Sequence, residues 1–151
     1  EQERRIRAAL GDAALQIDHV GSTSVPGLPA KPIVDVSLVV ADPVDEAAYV
    51  PALEAAGYRL ALREPEWFEH RLLRGTDPAV NLHVFGPGCA EVEAMLLFRD
   101  TLRSRPEELA IYLAAKRELS ARTWEFTQDY ADAKSEVVAA ILARARRGYA
   151  D

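Results

Sequence analysis

Apolar and charged positions recur along this chain with two different periods, and the change from one to the other divides it. Ile6, Ala9, Leu10, Ala13 and Ala14 follow helical spacing with charge between them, which predicts a helix over residues 1–15. Residues 16–20 predict a short strand. Gly21 to Pro32 then holds three prolines and two glycines in twelve residues, so regular structure does not persist there. Ile33 to Val40 is rich in β-branched residues and predicts a buried strand. Asp42-Pro43 predicts a helix start, with Asp42 as N-cap and Pro43 at the first helical position, and Gly57 predicts its end. Strands are expected at 58–62, 69–73 and 79–85, with Gly75-Thr76-Asp77-Pro78 as the turn between the last two. After the stop at Gly86-Pro87-Gly88, residues 90–147 read as three helices. Ser104-x-x-Glu107 has the form of a capping box for the second. The third starts near Thr127, with Tyr130, Ala133, Val137, Ile141 and Leu142 on one stripe. The fold class expected is α+β: a mixed sheet of four or five strands with flanking helices (residues 1–88), then a C-terminal helical subdomain (89–151), within one domain. No internal repeat or low-complexity linker is visible.

Composition narrows the function classes. With 151 residues, 49% hydrophobic and 28% charged, the chain is long enough to bury a core without a disulfide or a structural metal. The longest apolar run, Val36 to Ala41, is interrupted by Ser37 and is far too short to cross a bilayer. No charged-then-apolar leader opens the chain; it begins at Glu1 rather than methionine, as expected of a trimmed N-terminus. A net charge of −6 argues against a general nucleic-acid binder or a binder of anionic membranes. The basic cluster Arg144, Arg146, Arg147 belongs to an expected last helical turn, where the helix dipole favours cations. One cysteine, Cys89, excludes an internal disulfide and a cysteine-based zinc site, and fits a reducing cytoplasm.

Several common site patterns are absent. Gly27-Leu28-Pro29-Ala30-Lys31 lacks the Gly-Lys-Ser/Thr of a P-loop, and His70 has no glutamate after it, as a zincin helix requires. Gly21-Ser22-Thr23-Ser24-Val25 lacks the second glycine of a nucleophile elbow. What remains is residues 19–35. A strand running into Gly21-Ser22 lets backbone amides and hydroxyls approach an anion, because glycine has no Cβ. The next strand places Ile33, Asp35 and Ser37 on one face and Val34, Val36 and Leu38 on the other. An aspartate within an apolar strand needs a hydrogen bond, a metal, or an ionic partner such as Lys31.

Residues 19–35 resemble the signature of the GrpB family of small bacterial proteins. Leu82-His83-Val84, Leu96-Leu97-Phe98-Arg99-Asp100 and Tyr130-Ala131-Asp132-Ala133-Lys134 are similar to the same family, so the resemblance covers nearly the whole chain. It implies the polymerase-β-type nucleotidyltransferase superfamily, whose pattern is an apolar residue, Gly-Ser, about a dozen residues, then Asp-x-Asp or Asp-x-Glu on a strand. Here Val20 precedes Gly21-Ser22, and Asp35 falls where the first carboxylate belongs. The second carboxylate position is Ser37, a neutral hydroxyl that cannot supply the charge two-metal phosphoryl transfer needs. Some relatives are joined to a dephospho-coenzyme A kinase domain, which points towards coenzyme metabolism.

The expectations that follow are specific. Asp35 is the candidate catalytic residue and the anchor for Mg²⁺. His83, sharing a strand face with Asn81, is a second candidate metal ligand or base, with a structural histidine as the alternative; His19 carries the same ambiguity. Gly21, Ser22, Ser24 and Lys31 would cradle phosphate. Arg99, Lys116 and Lys134 each share a helical stripe with apolar residues. Snorkelling from a packed stem explains that placement, and so does convergence on a polyphosphate. Arg71 is a weaker candidate, expected to be a solvent-facing charge. The partner expected is a nucleotide or other phosphorylated small molecule, not a membrane or general nucleic acid. Two functions are open: metal-dependent nucleotidyl transfer, and a non-catalytic binding or sensing module with a degraded metal site.

Overall fold

A computed structural model describes residues 2–28, 32–76 and 78–148. The chain forms two compact units, residues 1–96 and 97–151. The first contains α1 (Gln2–Leu10), β1 (Gln16–Val20), β2 (Ile33–Val39), α2 (Val50–Ala55), β3 (Arg59–Glu64), β4 (His70–Gly75) and β5 (Ala79–Phe85), and the start of α3 (Ala90–Ser104). The remainder of α3, α4 (Pro106–Ala121) and α5 (Thr127–Arg147) belong to the second. Short 3₁₀ turns lie at Gly11–Ala13, Ser22–Ser24 and Glu46–Ala48. No helix among the described residues is long and apolar enough to cross a membrane.

The five strands form one mixed sheet in the order β1-β2-β5-β4-β3. The β2–β5 pair is parallel, and the other three pairs are antiparallel. Period-2 alternation then sorts the side chains. Val34, Val36 and Leu38 lie across from Val80, Leu82 and Val84, with Leu73 beyond them, on the face that packs against Ile6 of α1 and Val50 and Leu53 of α2. The opposite face carries Asp35 and Ser37 of β2, Asn81 and His83 of β5, and Leu72 and Arg74 of β4. At one end of that face Val39 and Phe85 pack against Val92 of α3. The chain is thus α+β with a five-stranded sheet, and a polar surface sits on the face away from α1 and α2.

Two helix starts differ from expectation, each because of a proline. The helix expected from Asp42 to Gly57 begins only at Val50, with Pro51 in its first turn. Inside a longer helix, Pro51 would lack the N–H for an i→i−4 bond and would clash with the preceding turn. Asp42 caps a local turn instead: its Oδ1 accepts a hydrogen bond from the Val44 amide at 3.0 Å. Tyr49 Oη then donates to the Pro43 carbonyl at 2.5 Å and closes the intervening loop. The capping box at Ser104 does not form either. Pro106 opens α4, so the N-cap is Arg105, and the Ser104 hydroxyl donates back to the Asp100 carbonyl at 2.7 Å.

In the second unit, α5 begins at Thr127 as expected. Phe98 and Tyr112 meet edge to face with centroids 5.2 Å apart. Glu108, only 2% exposed, takes a bidentate fork from Arg144, with Nε at 2.9 Å and Nη2 at 2.7 Å. Arg144 therefore ties α5 to α4, a role the helix dipole alone does not explain.

Candidate functional site

The Gly21 turn and the acid of β2 are built against each other. Gly21 sits at φ 76° and ψ −174°, backbone that side chains with a Cβ essentially do not adopt. A Cβ placed there would lie 2.5 Å from Asp35 Oδ2 and 2.9 Å from Asp35 Cβ. Glycine at 21 thus lets the backbone of the turn rest directly on the carboxylate. The turn closes on itself, as the Ser24 amide and the Ser24 hydroxyl both donate to the Gly21 carbonyl, at 3.0 and 2.5 Å. Ser24 is buried and holds the turn, while Gly21 is exposed and Ser22 half-buried. His19, at the rim, has Nε2 2.8 Å from Thr23 Oγ1. Lys31 lies outside the described residues.

Asp35 is the end of a hydrogen-bonded chain that crosses four strands. Its Oδ1 is 3.2 Å from His83 Nε2 on β5. His83 Nδ1 is 3.1 Å from His70 Nε2 on β4, and the two rings stack with centroids 5.3 Å apart. His70 Nδ1 is 2.8 Å from Glu64 Oε1 at the end of β3. The four groups grade from exposed ends to a buried middle: the side chains of Asp35 and Glu64 are 30% and 40% exposed, that of His70 only 4%. Burial holds His70 below the ordinary imidazole range despite the opposing Glu64 contact. Trp67, in the β3–β4 loop, packs edge-on against both His70 and Phe85. Glu91 of α3, whose carboxyl is pushed up by burial, is close enough to feel the His83 charge.

These residues do not make a two-cation centre. Ser37, in the second carboxylate position, is 1% exposed, and its hydroxyl has no hydrogen-bond partner among the described residues. One carboxylate already bonded to an imidazole, one imidazole and one buried neutral hydroxyl do not fit the clustered acids that hold paired Mg²⁺ ions. Among the described residues no three His, Cys, Asp or Glu side chains gather where a metal ion would sit.

Arg71 departs from expectation by being buried. It lies on the α1/α2 side of the sheet, donating from Nε to Glu46 Oε2 at 2.8 Å and from Nη1 to the Glu69 carbonyl at 2.8 Å. Glu46 also takes two bonds from Arg63, at 2.6 and 2.8 Å. Arg63 and, against the cost of burial, Arg71 hold the Glu46 carboxyl down at about 2. Arg71 is consumed by this structural cluster.

The remaining cations stand in the second unit. Arg99 donates from Nε to its neighbour Asp100 at 2.9 Å. Lys116 and Lys134 are half-buried, and burial followed by the like charge of Lys134 lowers the Lys116 ammonium below the ordinary lysine range. Two lysines held close enough to repel form an electropositive spot on α4 and α5.

The sequence reading missed His70 and Glu64. Their signal was present only as pairing: His70 lies one alternation step from Leu72, whose strand partner is His83. Finding it needed the register between β4 and β5.

Comparison with known proteins gives a consistent result. A family profile described as GrpB protein matches residues 1–144. A UPF0157 protein of Halalkalibacterium halodurans is 54% identical over 144 residues, covering 95% of this chain and 74% of the relative. A dephospho-CoA kinase of Mycolicibacterium paratuberculosis is 33% identical over 144 residues, covering 78% of this chain but only 35% of the kinase. Among solved structures, the conserved protein GrpB from Enterococcus faecalis superposes with a TM-score of 0.74 at 25% identity, over 94% of this chain and 88% of that one. The Cid1 poly(U) polymerase, solved with Mg and 3′-dATP, superposes with a TM-score of 0.50 at 14% identity, over 76% and 40% of the two chains. The latter is a likeness of fold.

Proposed function

The chain belongs to the GrpB family, and from that membership and the make-up of its site we propose that it binds a nucleotide or a related phosphorylated small molecule. The observation that carries this reading is the direct seating of the Gly21 turn on Asp35. A glycine turn free of side-chain bulk, set on a polymerase-β-type sheet beside an accessible acid, offers room and amide donors to a phosphate. Ser22 would contribute a hydroxyl. The match to part of a mycobacterial dephospho-CoA kinase puts coenzyme precursors among the ligands to test.

Binding without two-metal transfer is favoured by one feature, the buried hydroxyl of Ser37 where a second acid would be needed. Ser37→Asp would not restore that centre cheaply, because a carboxylate at this depth costs several kcal/mol, on the order of 3 or more.

The test is a thermal-shift screen of nucleotides and coenzyme precursors, with and without Mg²⁺ or Mn²⁺. A ligand at a hundredfold excess over its Kd adds about 2.7 kcal/mol, a shift of about 5–10 °C for a chain of this size. Hits that weaken in Ser22→Ala but survive Arg146→Ala support the reading. Equal loss in both variants reduces it to a non-specific effect, and no hit at all refutes it. Pyrophosphate released from a hit nucleotide only when a divalent cation is present would establish transfer instead.

A further inference from the structure

We infer that Trp67 is the surface on which the ligand's base stacks, so that the phosphorylated molecule bound here carries a flat aromatic ring at the end opposite its phosphate. The inference deepens the phosphate-ligand reading above and rests on it for the other end of the molecule.

The loop that carries Trp67 is bent at a cost. Residues 65–69 join β3 to β4, braced by the Trp67 amide on the Glu64 carbonyl and the His70 amide on the Trp67 carbonyl, both at 3.0 Å. Phe68 and Glu69 then take φ of 56° and 55° in succession. Left-handed backbone is uncommon outside glycine, and it is a true outlier for a residue as bulky as phenylalanine. An ordinary hairpin connection places glycine or asparagine at such positions. Conformations of this kind persist where the surrounding structure enforces them, and they cluster at ligand clamps. Here the bend folds Trp67 back onto the face of the sheet that carries Asp35, against His70 and Phe85, with ring centres 4.9 and 5.8 Å away.

Trp67 gains less from that placement than a core residue does. It stays 40% exposed, and Phe68 beside it 45%. Its contacts with Phe68, His70 and Phe85 are all steeply inclined, at 69°, 79° and 67°, so among the described residues no ring lies flat on the indole. Its N–H has no partner among them either, whereas the N–H of Trp124 donates to the Leu119 carbonyl at 2.7 Å. A large, rigid π-face held in place yet left partly in water is what a nucleobase stacks on, and such stacking tolerates any base.

Position and charge decide which end of the ligand comes here. Trp67 touches His70, the His70 and His83 rings are 5.3 Å apart, and His83 Nε2 is 3.2 Å from Asp35 Oδ1, on whose carboxylate the Gly21 turn rests. Those short steps run along one face of the sheet, a span that one extended nucleoside diphosphate covers. Glu64, Glu66 and Glu69 bracket the two exposed rings in the sequence. Three carboxylates disfavour a phosphate at the aromatic end, and equally an anionic membrane surface. The phosphates therefore belong at Gly21 and the uncharged base at Trp67, with the sugar between them.

The test labels the full chain with 5-fluorotryptophan and follows its fluorine NMR spectrum. The chain has two tryptophans, so Trp124 serves as the internal reference, and Trp67→Phe assigns the pair. Because stacking is tolerant, ADP is a fair probe whichever base is native. Saturating ADP is expected to shift the Trp67 resonance while Trp124 stays, adenosine to do the same at higher concentration, and pyrophosphate to leave Trp67 unmoved. In calorimetric titrations Trp67→Ala should weaken ADP by about 5- to 150-fold and Trp67→Phe by less, while pyrophosphate binds all three chains within about twofold. If ADP and pyrophosphate bind and the Trp67 resonance does not move, the inference is overturned and the phosphate reading stands alone; the wild-type spectrum decides this even if a variant fails to fold. A Trp67→Ala chain that loses ADP and pyrophosphate alike overturns it too, since that is the mark of a merely structural role. If adenosine shifts Trp67 while pyrophosphate does not bind, stacking stands and the phosphate reading falls. If none of the three binds, both fall.

Discussion

Replacing Gly21 with alanine perturbs the turn in two separable ways. The residue must hold φ 76° and ψ −174°, which costs a non-glycine residue about 1–3 kcal/mol. Its new Cβ must also displace Asp35, whose Oδ2 and Cβ would lie 2.5 and 2.9 Å away. The second atom matters more, because Asp35 Cβ is fixed to a strand paired on both sides, with β1 and with β5. Overpacking of this kind costs about 1–3 kcal/mol. Together the losses come to about 4 kcal/mol, a fall in Tm of about 8–16 °C for a chain of this size. Urea denaturation of Gly21→Ala, Asp35→Gly and the double variant gives the decisive cycle. In the Asp35→Gly background the overlap is gone and only backbone strain remains, so Gly21→Ala should cost about 1–3 kcal/mol less there. Equal cost in both backgrounds would refute the close seating of turn on acid, and with it the site's geometry.

Other outcomes follow from the same structure. Arg144→Ala removes the fork on the deeply buried Glu108 and should destabilise by about 3 kcal/mol in chemical denaturation, whereas Arg146→Ala, on an exposed side chain, should stay within about 0.5 kcal/mol. Glu46, held at about 2 in the folded chain against an ordinary 4.5, adds stability that is complete above pH 4.5 and is lost as pH falls towards 2. Glu46→Gln should therefore flatten the acid limb of a stability–pH curve measured from pH 5 to 2. Ser37→Ala removes a buried hydroxyl that has no partner among the described residues, so it should be neutral or raise stability by up to about 1 kcal/mol, as calorimetry would show.

Much of the sheet was legible because its signals are local. Ile33 to Val39 alternates and is β-branched, Gly57 stops a helix at φ 104°, and Gly86-Pro87-Gly88 separates strands from helices. The strand faces followed from period alone, which is why Asp35 with Ser37, and Asn81 with His83, were placed correctly. The helix starts failed where a second proline, Pro51 or Pro106, overruled a capping residue upstream. The site was legible only in part. Gly21 and Asp35 are close in sequence and share a recognisable pattern, whereas Glu64 and His70 join them only through the strand order β2-β5-β4-β3. Arg71 looked like a surface charge because its partner, Glu46, lies 25 residues away in the short 3₁₀ turn ahead of α2.

The parallel seam between β2 and β5 sets an order on how this sheet assembles. On one side, β1 and β2 join through a short excursion; on the other, β3, β4 and β5 form an uninterrupted meander. Only the seam unites them, pairing Ile33 with Ala79 and running to Val39 with Phe85, partners 46 residues apart. Closing a span of that length carries an entropic toll of about 3 kcal/mol before any contact across it repays the loss. The partners within either half are closer in sequence, so contact order predicts that the seam forms last. Asp35 and His83 face each other across it, and their contact is accordingly a signature of the finished sheet that neither half can display alone.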